Sequence, residues 1–593
     1  MIRFLGWGRS IVMSVVNGIA RAVVVLVLLL VALLVFSLAW GDGQPRNMVL
    51  ALDLREPIAD SAASPGSVLT PRRVTVMEVV LGLETAGRDG RVKGMVIKLG
   101  NGALSTAEGQ EIAAAIERFR AKNKFVIAQT TAFFGAGLGD YVAASAANEI
   151  WMQPKSPFTP SGAGGGNLFL RGVLDKIEAQ PQIVKRAEYK SAADTFMEKQ
   201  MSAPDREQLT ALMQSVYDSA VGQMAKNRKL SRDNVVAALE ASPQFAEDAF
   251  QKKLIDRIGY DDQATAAAKA RAGAGVKTVK FMTYARDVSK PLGNANIAIV
   301  EAAGEIRDGT AKNSLLGASA GIASDDLSEA IRQATRDKSI KAIVLRVDSP
   351  GGSVTASDQI LHAVKGAQSA GKPVVVSMGS VVASGGYYIS TTANRIVAQP
   401  GTITGSIGVL TGKVSFNKTL ELVGANAEQL AVGRNTLMNS PLSPYTPEQL
   451  AILSRQADVI YEDFTAKVAA GRKLSIEKVR EVARGRVWSG TDAQTHGLVD
   501  RLGGFWTAAG EAATLAKVPA GEMAFKIYPR RTGLLGSLSR LMGDMDASLG
   551  LLGRIESLLN LPVLQALLGG ISELPAGEAG GAISLKAAGL PKP

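Results

Sequence analysis

The sequence predicts an α/β protein made of two tandem copies of one domain, with mainly parallel sheets, behind a single N-terminal transmembrane helix. Three observations carry this. Segments recur at nearly constant spacing: residues 92–99 (VKGMVIKL) return as 340–347 (IKAIVLRV), and Tyr141 with Ala147-Asn148-Glu149-Ile150 returns as Tyr387 with Ala393-Asn394-Arg395-Ile396. Tyr217 with Arg228-Lys229-Leu230-Ser231 likewise returns as Tyr461 with Arg472-Lys473-Leu474-Ser475. The three offsets (92 to 340, 141 to 387, 217 to 461) are 248, 246 and 244 residues, which marks a duplication. Within each copy, short apolar runs alternate with helix-period stretches such as 111–120 and 359–368, the pattern of parallel α/β domains. Finally, residues 22–40 form an apolar run without a charge, and about 20 such residues cross a bilayer as a helix.

In chain order, residues 1–46 comprise a cytoplasmic stub, the anchor and a Gly/Pro linker. Arg3, Arg9 and Arg21 precede the apolar run and the first acidic residue is Asp42. The positive-inside rule therefore leaves the N-terminus cytoplasmic and exports the rest. Ser37-Leu38-Ala39 resembles a small-x-small cleavage site, but the length of the run favours a retained anchor. Residues 47–285 form the first repeat and 295–518 the second, opened by buried strands at 48–52 and 297–300 and separated by a Gly-, Lys- and Pro-bearing boundary at 271–294. From 519 the repeat is expected to end. Residues 534–567 show Leu-rich helical spacing broken by Gly, which suits packing in an assembly or lying on a membrane surface, and the chain from Glu573 reads as disordered.

Composition removes several classes of function. The 593 residues exceed what one hydrophobic core organises. With no cysteine, disulfides, thiolate metal sites and a cysteine nucleophile are excluded, and an oxidising compartment is tolerated. The two histidines, His362 in a helical stretch and His496 in a turn, read as structural, so a hydrolase here takes its base from another residue type. A net charge of +12 without a dense Lys/Arg run or an aromatic-basic stripe points to anionic lipid and not to nucleic acid. No cofactor, metal or nucleotide is implied.

The chemistry gathers in the second repeat. Ala383-Ser384-Gly385-Gly386-Tyr387-Tyr388 follows the apolar run 373–378, so a hydroxyl is presented just beyond a buried strand and at the start of a helix. Ser384 is the candidate nucleophile. Asp348-Ser349-Pro350-Gly351-Gly352-Ser353 follows the strand 342–347, and its paired glycines permit a turn whose N–H groups face an oxyanion. The first repeat has Leu138 in place of Ser384, and its segment 100–105 lacks the paired glycines.

The base remains to be found among Lys, Asp and Glu. A lysine serves only when neutral, which requires burial or a nearby positive charge. Lys190, in Ala187-Glu188-Tyr189-Lys190-Ser191-Ala192-Ala193, lies among small and aromatic residues, whereas the 244-residue offset brings Arg434 to its place in the second repeat. Arginine does not deprotonate. The copies are therefore complementary, Leu138 and Lys190 in one, Ser384 and Arg434 in the other, and one composite site needs both.

Residues 379–388, 348–354, Thr404-Gly405-Ser406-Ile407-Gly408 and Tyr189-Lys190-Ser191 together resemble the long, tandem-repeat bacterial form of the signal peptide peptidase A family, in one order over about residues 20–520. The resemblance implies a membrane-anchored serine protease of the Clp protease/crotonase superfamily. In that reading Ser384 is the nucleophile, Lys190 the general base and Ser406 the group that orients the lysine amine. Gly351, and with it Gly385, would supply oxyanion N–H groups. The partners implied are hydrophobic peptides left after signal-peptide cleavage, the bacterial inner membrane with the catalytic part periplasmic, and three further copies in a homotetramer. Apolar pockets should favour small and aliphatic side chains. Two other readings retain the fold: a membrane-associated scaffold without catalysis, and an acyl-CoA enzyme that uses the oxyanion loop but no Ser-Lys pair.

Overall fold

The computed structural model describes residues 44–60, 74–288, 296–311, 313–314, 317–318, 321–529 and 584–586. The expected anchor at 22–40 and the Leu-rich stretch 534–567 lie outside the described residues. Among the described residues no helix is long and apolar enough to cross a membrane.

Each repeat is built on a parallel sheet. The first runs Arg257–Ile258, Glu149–Met152, Phe125–Thr130, Val92–Lys98, Met48–Asp53 and Lys277–Lys280. The second has the matching order Arg501–Leu502, Arg395–Ala398, Val374–Ala383, Ala342–Ser349, Ile297–Ala303 and Phe525–Tyr528, with Ile403–Gly405 also on Val374–Ala383 and Val487–Ser489 added antiparallel to Ile403–Gly405. The central strands are apolar on both faces, as parallel strands covered by helices require. The duplication reaches their edges: Met48 pairs in register with Lys277, and Ile297 with Phe525. The second repeat therefore extends to Tyr528, past the boundary at 518 expected from sequence, because its edge strand is four residues long and carries no helical or motif signal of its own. Two helices of 26 residues, Ala203–Arg228 and Pro447–Arg472, repeat with the same ends, Pro in the first turn and a left-handed lysine cap at Lys229 and Lys473.

The copies are not beads on a string. The period-two alternation of a strand sends Ile297 and Ile299 into a core shared with the first repeat, and Ala298 and Val300 into the core of the second. Helix Phe505–Leu515 buries Phe505, Ala508, Ala509 and Ala512 in that shared core. A third, mixed sheet joins the copies directly. Gln180–Arg186 pairs antiparallel with Val409–Ser415, from Gln180 opposite Ser415 to Arg186 opposite Val409. The same sheet holds Gly351–Ser353, and Ser584–Lys586 lies between Gly351–Ser353 and Val409–Ser415.

A buried ion network pins this seam. Arg346, on strand Ala342–Ser349, donates to Asp60 (2.5 and 2.9 Å), to Glu111 (3.3 Å), to Ser377 Oγ (2.9 Å) and to Met378 O (3.2 Å). Glu111, from helix Thr106–Arg120, also accepts from Gln399 Nε2 (3.2 Å) and from the backbone N of Phe505 (2.8 Å) at a helix start. Both carboxylates belong to the first repeat and every donor to the second. Asp348 lies beside them, its carboxyl pushed up by burial and by the Asp60 charge. The equivalent of Arg346 in the first repeat, Lys98, makes only a surface bridge to Asp261 (2.7 Å).

Arg346→Met should therefore strand two buried carboxylates and cost about 3–5 kcal/mol of stability, whereas Lys98→Met should cost less than about 1 kcal/mol. Urea denaturation of the two variants checks this, and equal losses would contradict the seam assigned here.

Candidate active site

Strand Val374–Ala383 delivers Ser384 to the first position before helix Gly385–Ser390. Ser384 takes φ +56° and ψ −116°, a conformation that costs a non-glycine residue about 1–3 kcal/mol and is held by its surroundings. Its N–H donates to Gly405 O (2.9 Å), and its carbonyl accepts from Tyr388 N (2.8 Å). The side chain is buried.

Lys190 reaches it from the other repeat. The inter-repeat ladder ends at Arg186, four residues before Lys190, so the loop that follows is already registered against the second repeat. Lys190 is 1% exposed, and its Nζ lies 2.8 Å from Ser384 Oγ, 3.0 Å from Ser406 Oγ and 3.1 Å from Ser406 O. Burial pushes its amine down from the usual lysine range to about 7. A neutral amine has two N–H donors and one lone pair. The two Ser406 oxygens match the donors, which leaves the lone pair for the Ser384 hydroxyl proton. Among the described residues no carboxylate lies within bonding distance of Nζ to hold it charged.

The base loop is clamped on both sides. Tyr189 N donates to Arg484 O (3.2 Å), and the guanidinium groups of Arg484 and Arg486 lie 5.4 and 4.9 Å from the Tyr189 ring. Tyr189 OH donates to Glu207 (3.0 Å). Gly485, at φ +77°, passes so close that a Cβ there would sit 2.6 Å from Lys190 N and 2.7 Å from Lys190 Cβ. Ser406 N donates to Arg486 O (2.7 Å), so one short stretch of chain holds both Lys190 and its hydrogen-bond partner Ser406.

Of the residues singled out from sequence, Ser384, Lys190 and Ser406 meet directly. Gly385 lies against the glycine strand, its Cα facing Gly352 N and Gly351 Cα, with no room for a Cβ. Gly351 N–H donates to Ser349 Oγ (3.2 Å), and Gly352, at φ +153°, packs where a Cβ would collide with Ile306 O. Arg434 stands elsewhere. It is exposed in the segment between helices Asn417–Leu422 and Pro447–Arg472, and no strand precedes it like the one that precedes Lys190. The sequence offset of 244 therefore does not carry the base loop's structure into the second repeat. His496 packs against Trp488 with ring centroids 4.2 Å apart and planes tilted by 57°, and neither histidine bonds Ser384 among the described residues.

The first repeat fills the corresponding positions differently. Leu138 holds the position of Ser384 before helix Gly139–Ser145. Asp140 accepts from Gly100 N (2.9 Å), Gly102 N (2.9 Å) and Leu104 N (3.0 Å), so a carboxylate fills the loop that corresponds to the glycine strand. Sequence reasoning passed over Asp140, although the 246-residue offset aligns it with Gly386 and marks the exchange.

Comparison with known proteins agrees with this architecture. The model of peptidase family S49 matches residues 118–276 and 366–519, once in each repeat. The chain is 30% identical over 483 residues to the chloroplastic serine protease SPPA of Arabidopsis thaliana, covering 80% of this chain and 70% of that one. It is 31% identical over 468 residues to Protease 4 of Haemophilus influenzae, covering 75% and 74%, and 32% identical over 173 residues to a putative signal peptide peptidase SppA of Enterococcus faecium, covering 29% and 50%. The protein is a serine protease. More narrowly, the chain belongs to peptidase family S49, with the family domain present twice.

Gly485→Ala should displace the base loop while leaving Ser384 in place. We expect peptide cleavage to fall by about 10²-fold, the scale of a misplacement near 1 Å. Steady-state kinetics on folded enzyme check this, and wild-type kcat would contradict the packing described.

Proposed function

We propose that this protein is a membrane-anchored serine endopeptidase that uses Ser384 and Lys190 as a catalytic dyad to degrade cleaved signal peptides and similar hydrophobic peptides. The observation that carries the reading is the 2.8 Å approach of a buried Lys190 amine to Ser384 Oγ. In this mechanism neutral Lys190 takes the Ser384 proton as Oγ attacks the scissile carbonyl. The resulting ammonium then protonates the leaving amine. An acyl-enzyme remains, and a water deprotonated by the same lysine releases the product. Ser406 keeps the amine aimed, and the developing oxyanion is received by the backbone N–H of Gly385 and by that of Gly351, which would exchange its contact with Ser349 Oγ (3.2 Å) for the oxyanion.

The third sheet supports an extended substrate. Ser584–Lys586 pairs antiparallel with Gly351–Ser353 and touches Val409–Ser415, so the space beside the glycine strand accepts a peptide backbone as an added strand. The apolar segment 22–40 supports the anchor, with the catalytic repeats on the periplasmic side of a bacterial inner membrane. A homotetramer belongs to the same reading.

Ser384→Ala and Lys190→Ala, purified in detergent and given a Leu/Ala-rich peptide, should each lose on the order of 10⁴-fold in kcat. Ser384 of the wild type should be labelled by a serine-reactive phosphonate. Cleavage by both variants at the wild-type rate would end the dyad proposal, and tight coenzyme A binding without Ser384 labelling would favour an acyl-CoA enzyme.

A further inference from the structure

One buried side chain ties the two halves of this site together. Gln208 lies within the first turns of helix Ala203–Arg228 and is 2% exposed. Its Nε2 donates to Tyr189 O (2.9 Å) and lies within bonding distance of Ser191 Oγ (3.1 Å) and Asp205 Oδ1 (2.9 Å). Its Oε1 accepts from Val487 N (3.1 Å). These contacts fix the amide orientation, because a flipped amide would face Val487 N–H with a donor and Tyr189 O with an acceptor.

The two ends of the amide reach the two sides of the candidate dyad. Tyr189 and Ser191 flank Lys190. Val487 pairs with Gly405, and the residue before it, Arg486, accepts the N–H of Ser406. From Gln208, one arm runs to the loop that carries the base and the other to strand Val487–Ser489, which pairs with Ile403–Gly405, the strand that leads into Ser406. The duplication supplies a control. The 244-residue offset of the paired helices brings Ile452 to the place of Gln208 in the repeat that carries no base, and an isoleucine cannot make these bonds.

We infer that Gln208 is a positioning residue that sets the Lys190 amine against Ser384 by fixing the base loop of the first repeat to strand Val487–Ser489 of the second. The inference rests on the Ser384/Lys190 reading and extends it to a residue that touches neither reacting atom. Loss of the clamp should let the loop drift and admit water to the amine. The charged groups around that loop are Lys185, Glu188, Asp194, Asp205 and Glu207 from the first repeat, and Arg484 and Arg486 from the second. Burial, and none of these charges, holds the Lys190 amine low. Added water therefore moves its titration upward.

The test compares Gln208→Met, which keeps the volume and removes the bonds, with wild type and Lys190→Ala in the full-length enzyme. Gln208→Met should lose about 10²-fold in kcat with little change in KM, and the midpoint of its pH–rate profile should move to higher pH. A residue that served stability alone would lower the melting temperature and leave kcat per folded molecule and the midpoint unchanged. Ser191→Ala removes one of the contacts without touching the helix, and it should shift both readouts in the same direction by less. Wild-type kcat and midpoint in both variants, with Lys190→Ala inactive, would overturn the role of Gln208 alone. Full activity in Lys190→Ala would instead overturn the dyad on which it rests.

Discussion

The approach of the Lys190 amine to Ser384 Oγ is the contact on which the rest of the arrangement depends, because its two atoms come from different copies of a duplicated domain. Each copy is built on its own parallel sheet. Bringing an amine to 2.8 Å from a hydroxyl requires the copies to be registered to within tenths of an ångström. Three features supply that register: the ladder from Gln180–Arg186 to Val409–Ser415, the shared apolar core under strand Ile297–Ala303, and the Arg346 network with Asp60 and Glu111. The ladder directs the base loop, the core fixes the distance between sheets, and the buried charges penalise any slip that would separate them.

In the proposed mechanism burial serves the chemistry as well as the fold. A lysine in water is almost wholly protonated near neutral pH and has no lone pair to offer. Enclosing Lys190 among backbone and hydroxyl groups, with no carboxylate bonded to it among the described residues, destabilises the ammonium and leaves the neutral amine available. The first repeat has neither a matching serine nor an open glycine loop. Leu138 fills the core there and the Asp140 carboxylate takes the freed N–H groups.

Much of this was legible in the sequence, since a duplication makes a chain its own reference. The tandem α/β repeats and the pairing of Lys190 with Ser384 follow from comparing one half with the other, and the hydroxyl at Ser384 from the apolar strand and paired glycines around it. What escaped notice lies between elements. The third sheet pairs residues more than 220 positions apart, and Gln180–Arg186 has no alternation that distinguishes it from a surface strand. Arg346 sits in an apolar strand where its length suggests an exposed end, and only its partners from the other repeat explain its burial. Gln208 is one polar residue on a long polar helix. Arg434 misled because a constant offset was carried across a segment in which the two copies no longer share a structure.

The central claim is that a buried, neutral lysine from one repeat activates the serine of the other. The most direct measurement is the pH dependence of the rate at which a serine-reactive phosphonate labels Ser384, in wild type and in Lys190→Ala. Raising the pH empties the ammonium and exposes the lone pair, so the wild-type rate should climb through about pH 7 and then level off. In Lys190→Ala that step should vanish. A wild-type rate that is flat across this range, or that rises only in the ordinary lysine range near 10.4, would contradict the account.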